Sequence, residues 1–460
     1  MKGGGLGKAG AIAKHCVSWD AAFVTIVRDH KLGVWMTGGL VVGSMIGSGI
    51  FMLPVSLAPL GMNAIAGWVI SILGALAIAF ALASLGRSGP GGIHAYIERA
   101  FGPTAAFLVT WAFWISNIAA QAGLAIATAS ALSRLVPSAG GASGIVAVGV
   151  GSVVALTLVN LRGVRTSGGL SLITVAIKIL PLLAVVVILL MHKTLGKSFV
   201  PISGSPLTPA NLATATALTL FALTGFENAT APVDKVRDPA RTVPRAILGG
   251  AAFVGLIYLA SSSGVMLLLP ADKIAASPAP YADVIAVQWG EKAALLAALT
   301  IAISAFGGLN SMIFATGELG YAMGLRGDLP PIMARTGHDN IPVGAHVVGG
   351  TLTVLLILAN ASKATASLFT FVILLSTAAI LFVYMLGAFA AWKAQEAAAA
   401  SRAILVIALL FIAFAFYGAG LEADLWSLVL LVSGLAIRFI LRLRAGSNPV
   451  AAKSPAAPLE

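Results

Sequence analysis

Hydrophobic and polar positions fall into long blocks along this chain. Runs of about twenty apolar residues recur from residue 33 to residue 441, and short stretches rich in glycine, proline and charged residues separate them. Runs of this length are typical of helices that cross a bilayer. The pattern predicts an all-α membrane protein with twelve transmembrane helices, at about 33–57, 63–85, 104–134, 143–161, 169–191, 211–231, 245–269, 283–318, 343–361, 365–391, 402–417 and 421–441.

The first apolar block contains an interruption. Three glycines fall within the seven residues from Gly43 to Gly49, and each costs about 1 kcal/mol of helix propensity relative to alanine. A helix broken at mid-membrane leaves backbone groups unpaired, which is tolerated where they line a cavity or bind a ligand. A second half-helix starting near Gly47-Ser48-Gly49 would present free N–H groups and a positive dipole end, a site suited to a carboxylate. A small-residue packing face between helices is the alternative interpretation.

The sixth block repeats this feature. Gly225, Glu227 and Asn228 lie in an apolar segment that ends near Ala231, and the third and eighth blocks are unusually long. Features that recur five helices apart indicate two five-helix repeats of inverted topology, as in the leucine-transporter fold, with a site between broken helices 1 and 6. The predicted units are a cytosolic tail (1–32), two repeats (33–191 and 211–391), helices 11 and 12 (402–441) and a disordered tail (445–460).

Composition and charge agree with a membrane protein. Of the 460 residues 59% are hydrophobic and 10% are charged, with a mean hydropathy of +0.99, which excludes a soluble globular protein of this length. The formal net charge of +12 does not indicate nucleic-acid binding, because most basic residues lie in the tails and alternate loops. The positive-inside rule places both termini in the cytosol of a cell (inner or plasma) membrane protein. The predicted outside loops carry only Arg134, Lys193, Lys197, Lys273, Lys292 and Lys363.

Four motifs follow one another in order on these blocks. They are Gly47-Ser48-Gly49-Ile50-Phe51 with Pro54; Ser88-Gly89-Pro90-Gly91-Gly92 through Tyr96 to Phe101-Gly102-Pro103; Gly225-Phe226-Glu227 running into Arg237-Asp238-Pro239-Ala240-Arg241-Thr242-Val243-Pro244; and Gly327-Asp328-Leu329-Pro330-Pro331 followed by Ile341-Pro342-Val343. With these motifs the region from about Gly33 to Trp392 resembles the amino acid–polyamine–organocation superfamily, most closely its bacterial arginine/agmatine antiporter and putrescine/lysine exchanger branch. Antiporters of that branch are often dimers, so the resemblance also allows a homodimer.

The resemblance implies a role for individual residues. The substrate carboxylate would be held at the first interruption, the amine by backbone carbonyls, the distal end by an asparagine of span three, and a proton by the glutamate of span six. In this chain the corresponding residues are Ser48, Gly49 and Ile50; Met45, Phe221 and Thr224; Asn117; and Glu227.

Two departures from the antiporters leave the substrate open. Met312 stands where those proteins have a tryptophan that contacts the substrate guanidinium by a cation–π interaction. Lys178 lies within span five and resembles the lysine of proton-coupled, sodium-independent relatives. A buried lysine can release its proton near neutral pH, or it can act as a charged tether to the carbonyls of broken span one. Glu227 is either a proton carrier or a carboxyl group that bridges helices.

Other polar positions are weaker candidates. Asn117 and Gln121 lie four residues apart on one face of span three, where they line the pocket or bond to neighbouring helices. Ser376 is a further candidate for substrate contact, although hydroxyl groups often bond to their own helix backbone.

The sequence therefore predicts a secondary-active transporter of amino acids or amines that works by alternating access. Exchange of a cationic amino acid for its amine and proton-coupled uptake of a neutral amino acid both remain open. Neither a phosphate-binding glycine-rich loop followed by Lys-Ser/Thr nor metal-ligand spacing is present in the sequence. We therefore expect no cofactor and no metal. A membrane enzyme and an ion channel are the remote alternatives.

Overall fold

The structure, a computed structural model, describes residues 33–47, 49–85, 92–162, 168–227, 236, 238–337, 340–394 and 399–446. The regular elements of these residues are helices, which confirms the all-helical prediction. The predicted N-terminal tail, the predicted C-terminal tail beyond residue 446, Ser48 and Asn228 lie outside the described residues.

Sixteen α-helices are described. They are α1 (Val34–Met45), α2 (Gly49–Leu57), α3 (Met62–Leu85), α4 (Ile93–Phe101), α5 (Pro103–Leu135), α6 (Gly141–Leu161), α7 (Gly168–Thr194), α8 (Pro209–Leu223), α9 (Pro239–Leu268), α10 (Ala271–Ala276), α11 (Pro280–Trp289), α12 (Glu291–Leu325), α13 (Val343–Ala359), α14 (Thr365–Ala394), α15 (Ala399–Ala419) and α16 (Leu421–Gly446).

Nine of the described helices are long and apolar enough to cross a membrane, and the bent pair of α1 and α2 brings the number to ten. Two shorter apolar helices, α8 and α13, coincide with the predicted sixth and ninth spans. Each predicted span thus overlaps a described helix or helix pair. The count of twelve crossings and the inverted repeat stay predictions.

The predicted eighth span is wrong near its start. The eighth span was expected to run unbroken from 283 to 318, but α11 ends at Trp289 and α12 begins at Glu291. Gly290 between them has a φ of +85°, which an α-helix does not accommodate. Helix α8 ends at Leu223, before the extended Thr224 and Gly225 with a φ of +113°, at the predicted interruption of the sixth span, and the predicted end of that span at residue 231 lies outside the described residues.

Helix α5 lies in the interior of the bundle. In its most apolar stretch 94% of the residues are buried, against 22% for α16, so α5 is surrounded by protein whereas α16 lies at the periphery. Helices α12 and α14 pack along α5, and α3 packs against α8 and α9. Helix α2, which follows the first interruption, contacts α5, whose polar side chains are screened from lipid.

Candidate functional site

The first interruption separates α1 from α2 at Ile46 and Gly47. The two half-helices are inclined at 51°. Ile46 closes α1 with a bond from its N–H to the carbonyl of Val42, at 2.9 Å, and Gly47 N–H donates to Met45 O at 2.7 Å. The chain therefore leaves helical geometry within three residues, as the clustered glycines predict.

The start of α2 presents backbone donors without acceptors. Gly49 and Ile50 are buried, and their N–H groups donate to no carbonyl or side chain in the part of the chain that the structure describes. The first N–H groups of a helix have no partner within the helix and sit at the positive end of its dipole. These two residues, predicted to bind a carboxylate, thus have unused donors in a buried position.

The second interruption is in direct contact with the first. Gly225 has a φ of +113°, and a Cβ atom there would lie 2.7 Å from the carbonyl oxygen of Ser44 in α1. Ser44 Oγ donates to Gly225 O at 2.9 Å. Because only glycine fits this approach, the two half-helix ends meet backbone to backbone.

Glu227 is held by two donors near this junction. Its Oε2 accepts from Gly225 N–H at 2.9 Å and from the hydroxyl of Tyr384 in α14 at 2.9 Å. The Tyr384 ring also stacks on Phe226, with centroids 5.5 Å apart. The carboxyl group is therefore a link between the interruption and α14, which favours the bridging interpretation of Glu227.

Most backbone carbonyls predicted to hold the substrate amine already accept bonds. Met45 O accepts from Gly47 N–H and, at 3.1 Å, from the hydroxyl of Tyr258 in α9. Phe221 O accepts from the N–H and the hydroxyl of Thr224, at 3.3 and 2.8 Å. A bound amine would have to replace one of these donors.

The Phe221 side chain closes over the start of α2. A Cβ atom on Gly49 would lie 2.6 Å from the Phe221 ring, and the ring is itself buried. The Phe221 side chain therefore lies against the position at which the carboxylate is expected, whereas its backbone carbonyl bonds to Thr224.

The polar residues of α5 divide into two groups. Ser116 and Ser376 bond reciprocally, each hydroxyl donating to the other residue's carbonyl at 3.0 and 2.9 Å. Gln121 donates to Thr316 Oγ1 at 2.6 Å and accepts from Thr353 Oγ1 at 3.2 Å. Both contacts join helices, so Ser376, predicted to bind substrate, is engaged in helix packing.

Asn117 differs from its neighbours on α5. It is 8% exposed and bonds to none of the described residues. A buried amide without a partner is unusual because desolvation without a compensating bond is costly. Met312, on the facing helix α12, is half-buried, and its carbonyl accepts a long bond from Gln121 at 3.4 Å. Asn117 is thus, together with the buried Ser130 hydroxyl, a polar group of α5 that bonds to no described side chain or carbonyl.

Lys178 lies in α7, which packs against α1 and α9, the helices that carry Met45 and Tyr258. It is 8% exposed, and its ammonium group makes no hydrogen bond or ion pair with the described residues. Tyr258, rather than Lys178, donates to the Met45 carbonyl. The predicted tether from Lys178 to broken span one is therefore not formed with any described carbonyl.

Sequence reasoning missed three residues at this site: Ser44, Tyr258 and Tyr384. Each donates a hydroxyl to a backbone or carboxyl oxygen of the interruptions. Their signal in the sequence is weak, because a tyrosine in an apolar helix is common and its partner is set by tertiary packing.

Two cavities lie away from the interruptions. One, of about 630 Å³, is lined by α6 and the end of α13, and the other, of about 670 Å³, by α2, α14 and the junction of α15 with α16.

Comparison with known proteins gives a consistent result. The family model for amino acid permeases matches residues 32–434. The chain is 28% identical to the putrescine transporter PotE of Escherichia coli (strain K12), over 74% of this chain and 77% of that protein. It is 30% identical to the cadaverine/lysine antiporter of the same strain, over 73% and 77%, and 26% identical to the putrescine transporter PotE of Haemophilus influenzae, over 88% and 96%.

Proposed function

The chain belongs to the amino acid permease family, within the amino acid–polyamine–organocation superfamily, and on that premise we propose that it is a secondary-active transporter of amino acids that works by alternating access. Membership of this family and the relatives' transport activities make it a multi-pass membrane transporter rather than an enzyme.

The unused N–H groups of Gly49 and Ile50 carry this proposal. They form a buried positive site that a carboxylate would satisfy. Lys178, a buried cation without a described partner, lies on a helix packed against the same half-helix pair and adds positive potential. A substrate with a carboxylate is favoured there over a diamine, which would leave the donors unsatisfied.

The rest of the substrate would be held by groups of both interruptions. We assign the carboxylate to Ser48 and to the N–H groups of Gly49 and Ile50. The amine would take the place of the Tyr258 hydroxyl at Met45 O, or of the Thr224 hydroxyl at Phe221 O. Asn117 and Met312 would contact the side chain, and Ser376 would support Asn117 indirectly through its bonds to Ser116 on the same helix.

Proton linkage would run through Lys178 more than through Glu227. Lys178 has no described partner that fixes its charge, whereas two donors hold Glu227 in place. A mid-membrane lysine can bind a proton in one state of the cycle and release it in another. Glu227 would act chiefly by joining the interruption to α14.

The architecture that this mechanism requires is part of the proposal. Twelve spans in an inverted five-plus-five repeat would place α1–α2 and α8 as the paired broken helices, in a cell (inner) membrane with both termini in the cytosol. Rocking of one repeat against the other would then expose the junction of Ser44 and Gly225 to each side in turn.

Diamine exchange is the second candidate function. The relatives named for putrescine and for cadaverine/lysine favour it. An exchanger of lysine for a diamine would bind the lysine carboxylate at the same interruption. The diamine has no carboxylate, so it would be carried without this contact.

Uptake into proteoliposomes tests the proposal. A labelled amino-acid and diamine panel is offered to empty vesicles with an imposed inward proton gradient, and to vesicles preloaded with lysine or putrescine. We expect gradient-driven accumulation of an amino acid in empty vesicles, and its loss in Lys178→Ala, with Glu227→Gln measured in parallel. Lys193→Ala, at the exposed end of the same helix, is the matched control. Uptake that requires internal lysine or putrescine and ignores the gradient would establish exchange instead.

A further inference from the structure

A second cavity opens at the end of the bundle where α2 ends. Its volume is about 670 Å³, and it is lined by the last turn of α2, the first turns of α14 and the junction between α15 and α16. Among the described residues that line it, Lys363 is the one base and Glu422 the one acid. Its polar character therefore depends on this pair and on hydroxyl groups.

The Lys363 ammonium is held in this cavity as a ligand would be. Its Nζ lies 3.0 Å from Glu422 Oε1 and 4.0 Å from the centroid of the Phe371 ring. A carboxylate and an aromatic face are the two groups that proteins combine to bind alkylammonium ions. The side chain of Lys363 ends in the same group as a primary alkylamine, so it fills an ammonium site from within the chain.

This ion pair is open to competition. The side chain of Lys363 is 31% exposed and that of Glu422 is 65% exposed. Exposed pairs of this kind contribute little to stability, so removal of the Lys363 ammonium would leave the fold intact.

The cavity is close to the candidate transport site. Ser56, on its wall, bonds to Thr370 of α14 at 2.6 Å and lies seven residues after Gly49. Seven residues of α-helix span about 10 Å. A cation bound at Glu422 would therefore lie near the C-terminal end of α2, and the N-terminal end of α2 lies at the interruption.

We propose that this cavity is a separate binding site for primary alkylammonium ions, with Glu422 and Phe371 as its recognition groups and Lys363 as a tethered occupant. Removal of the Lys363 ammonium frees both groups for an external amine. The proposal does not depend on the substrate bound between the two interruptions.

Equilibrium dialysis with radiolabelled putrescine and the purified full-length protein in detergent tests it. The wild-type protein is compared with Lys363→Met and with the double variant Lys363→Met, Glu422→Gln. We expect Lys363→Met to bind one more putrescine per chain than the wild type, and the double variant to lose it. Binding by the wild type itself reports on the central site, so failure of either proposal is recognised separately.

A matched control uses another lysine beside an aromatic ring. Lys393 lies 5.4 Å from the centroid of the Phe101 ring and donates to the carbonyl of Ala100, but this pair has no carboxylate. Lys393→Met is expected to leave the putrescine stoichiometry unchanged. Equal stoichiometry in Lys363→Met and the wild type, with both proteins monodisperse on size exclusion, would overturn the proposal, as would an equal gain in Lys393→Met.

Discussion

Two polar regions of this membrane protein differ in how their groups are paired. Along α5, Ser116 and Gln121 bond to neighbouring helices through side chains. At the interruptions side chains also bond to backbone groups, but the N–H groups of Gly49 and Ile50 have no acceptor among the described residues. The first region joins helices, and the second retains unused hydrogen-bonding capacity.

This difference shows which polar residues to associate with a ligand. A polar residue in a membrane helix is expensive to bury and is therefore often read as functional. Ser376 and Gln121 meet that criterion and are nevertheless satisfied by protein partners. Buried groups without a described partner also occur elsewhere, as at Trp68 and Ser304, so the candidate site is distinguished by unused donors that lie at a helix interruption.

The largest effect is expected where the two interruptions touch. Gly225→Ala would place a methyl group 2.7 Å from Ser44 O at a φ of +113°. Overpacking and backbone strain each cost about 1–3 kcal/mol. We expect this variant to lose most of its transport in proteoliposomes and to unfold at lower temperature.

Gly38→Ala is the control for this prediction, because a Cβ atom on Gly38 in α1 meets nothing within 4 Å. It should match the wild type in both measurements. Normal transport by Gly225→Ala would show that the two half-helix ends need not approach so closely.

An intermediate effect should separate Asn117 from Gln121. Asn117→Ala removes a side chain that bonds to none of the described residues, so the thermal stability in detergent should change little while the apparent substrate affinity falls. Gln121→Leu leaves Thr316 and Thr353 without this partner, and loss of buried bonds costs about 1–3 kcal/mol.

We therefore expect Gln121→Leu to lower the unfolding temperature and to change apparent substrate affinity less than Asn117→Ala does. Thermal unfolding and substrate-concentration series on the same preparations would measure both. Equal loss of affinity in the two variants would remove the distinction between the paired and unpaired regions of α5.

The smallest effect is expected from protonation of His94, because a proton on the ring would break one of its two hydrogen bonds. Thr110 Oγ1 in α5 donates to Ala106 O at 2.9 Å and so accepts from Nδ1–H of His94, at 2.7 Å. Nε2 of His94 then accepts from Arg326 at 2.7 Å. Burial, and next the Arg326 charge, hold the pKa of His94 below its ordinary value of about 6.5.

In the unfolded chain His94 binds a proton at higher pH than it does in the folded protein. The free energy of unfolding should therefore fall as the pH drops through about 6.5. We expect a decrease of less than about 1 kcal/mol for this half-buried group, absent at pH 8, and a flatter profile in His94→Gln. Thermal unfolding from pH 8 to pH 5 would measure it. Parallel profiles for the two proteins would show that the link between α4 and α12 tolerates a protonated histidine.

The sequence alone determined the helical class, the positions of the apolar segments and the first interruption. All three features depend on local properties of the chain. A bilayer requires long apolar helices, and clustered glycines weaken a helix whatever its neighbours are. Motif order was also sufficient to identify the superfamily, which the family match over residues 32–434 confirms.

Tertiary structure decided which polar groups remain unpaired. The sequence placed Ser376, Gln121 and Asn117 in similar apolar surroundings, but only packing shows that the first two meet partners across helices and Asn117 does not. The tertiary structure also places Tyr384 beside Glu227, although the two residues are 157 positions apart in the chain. A hydrogen bond between distant helices depends on their relative position and rotation, which local residue patterns do not specify.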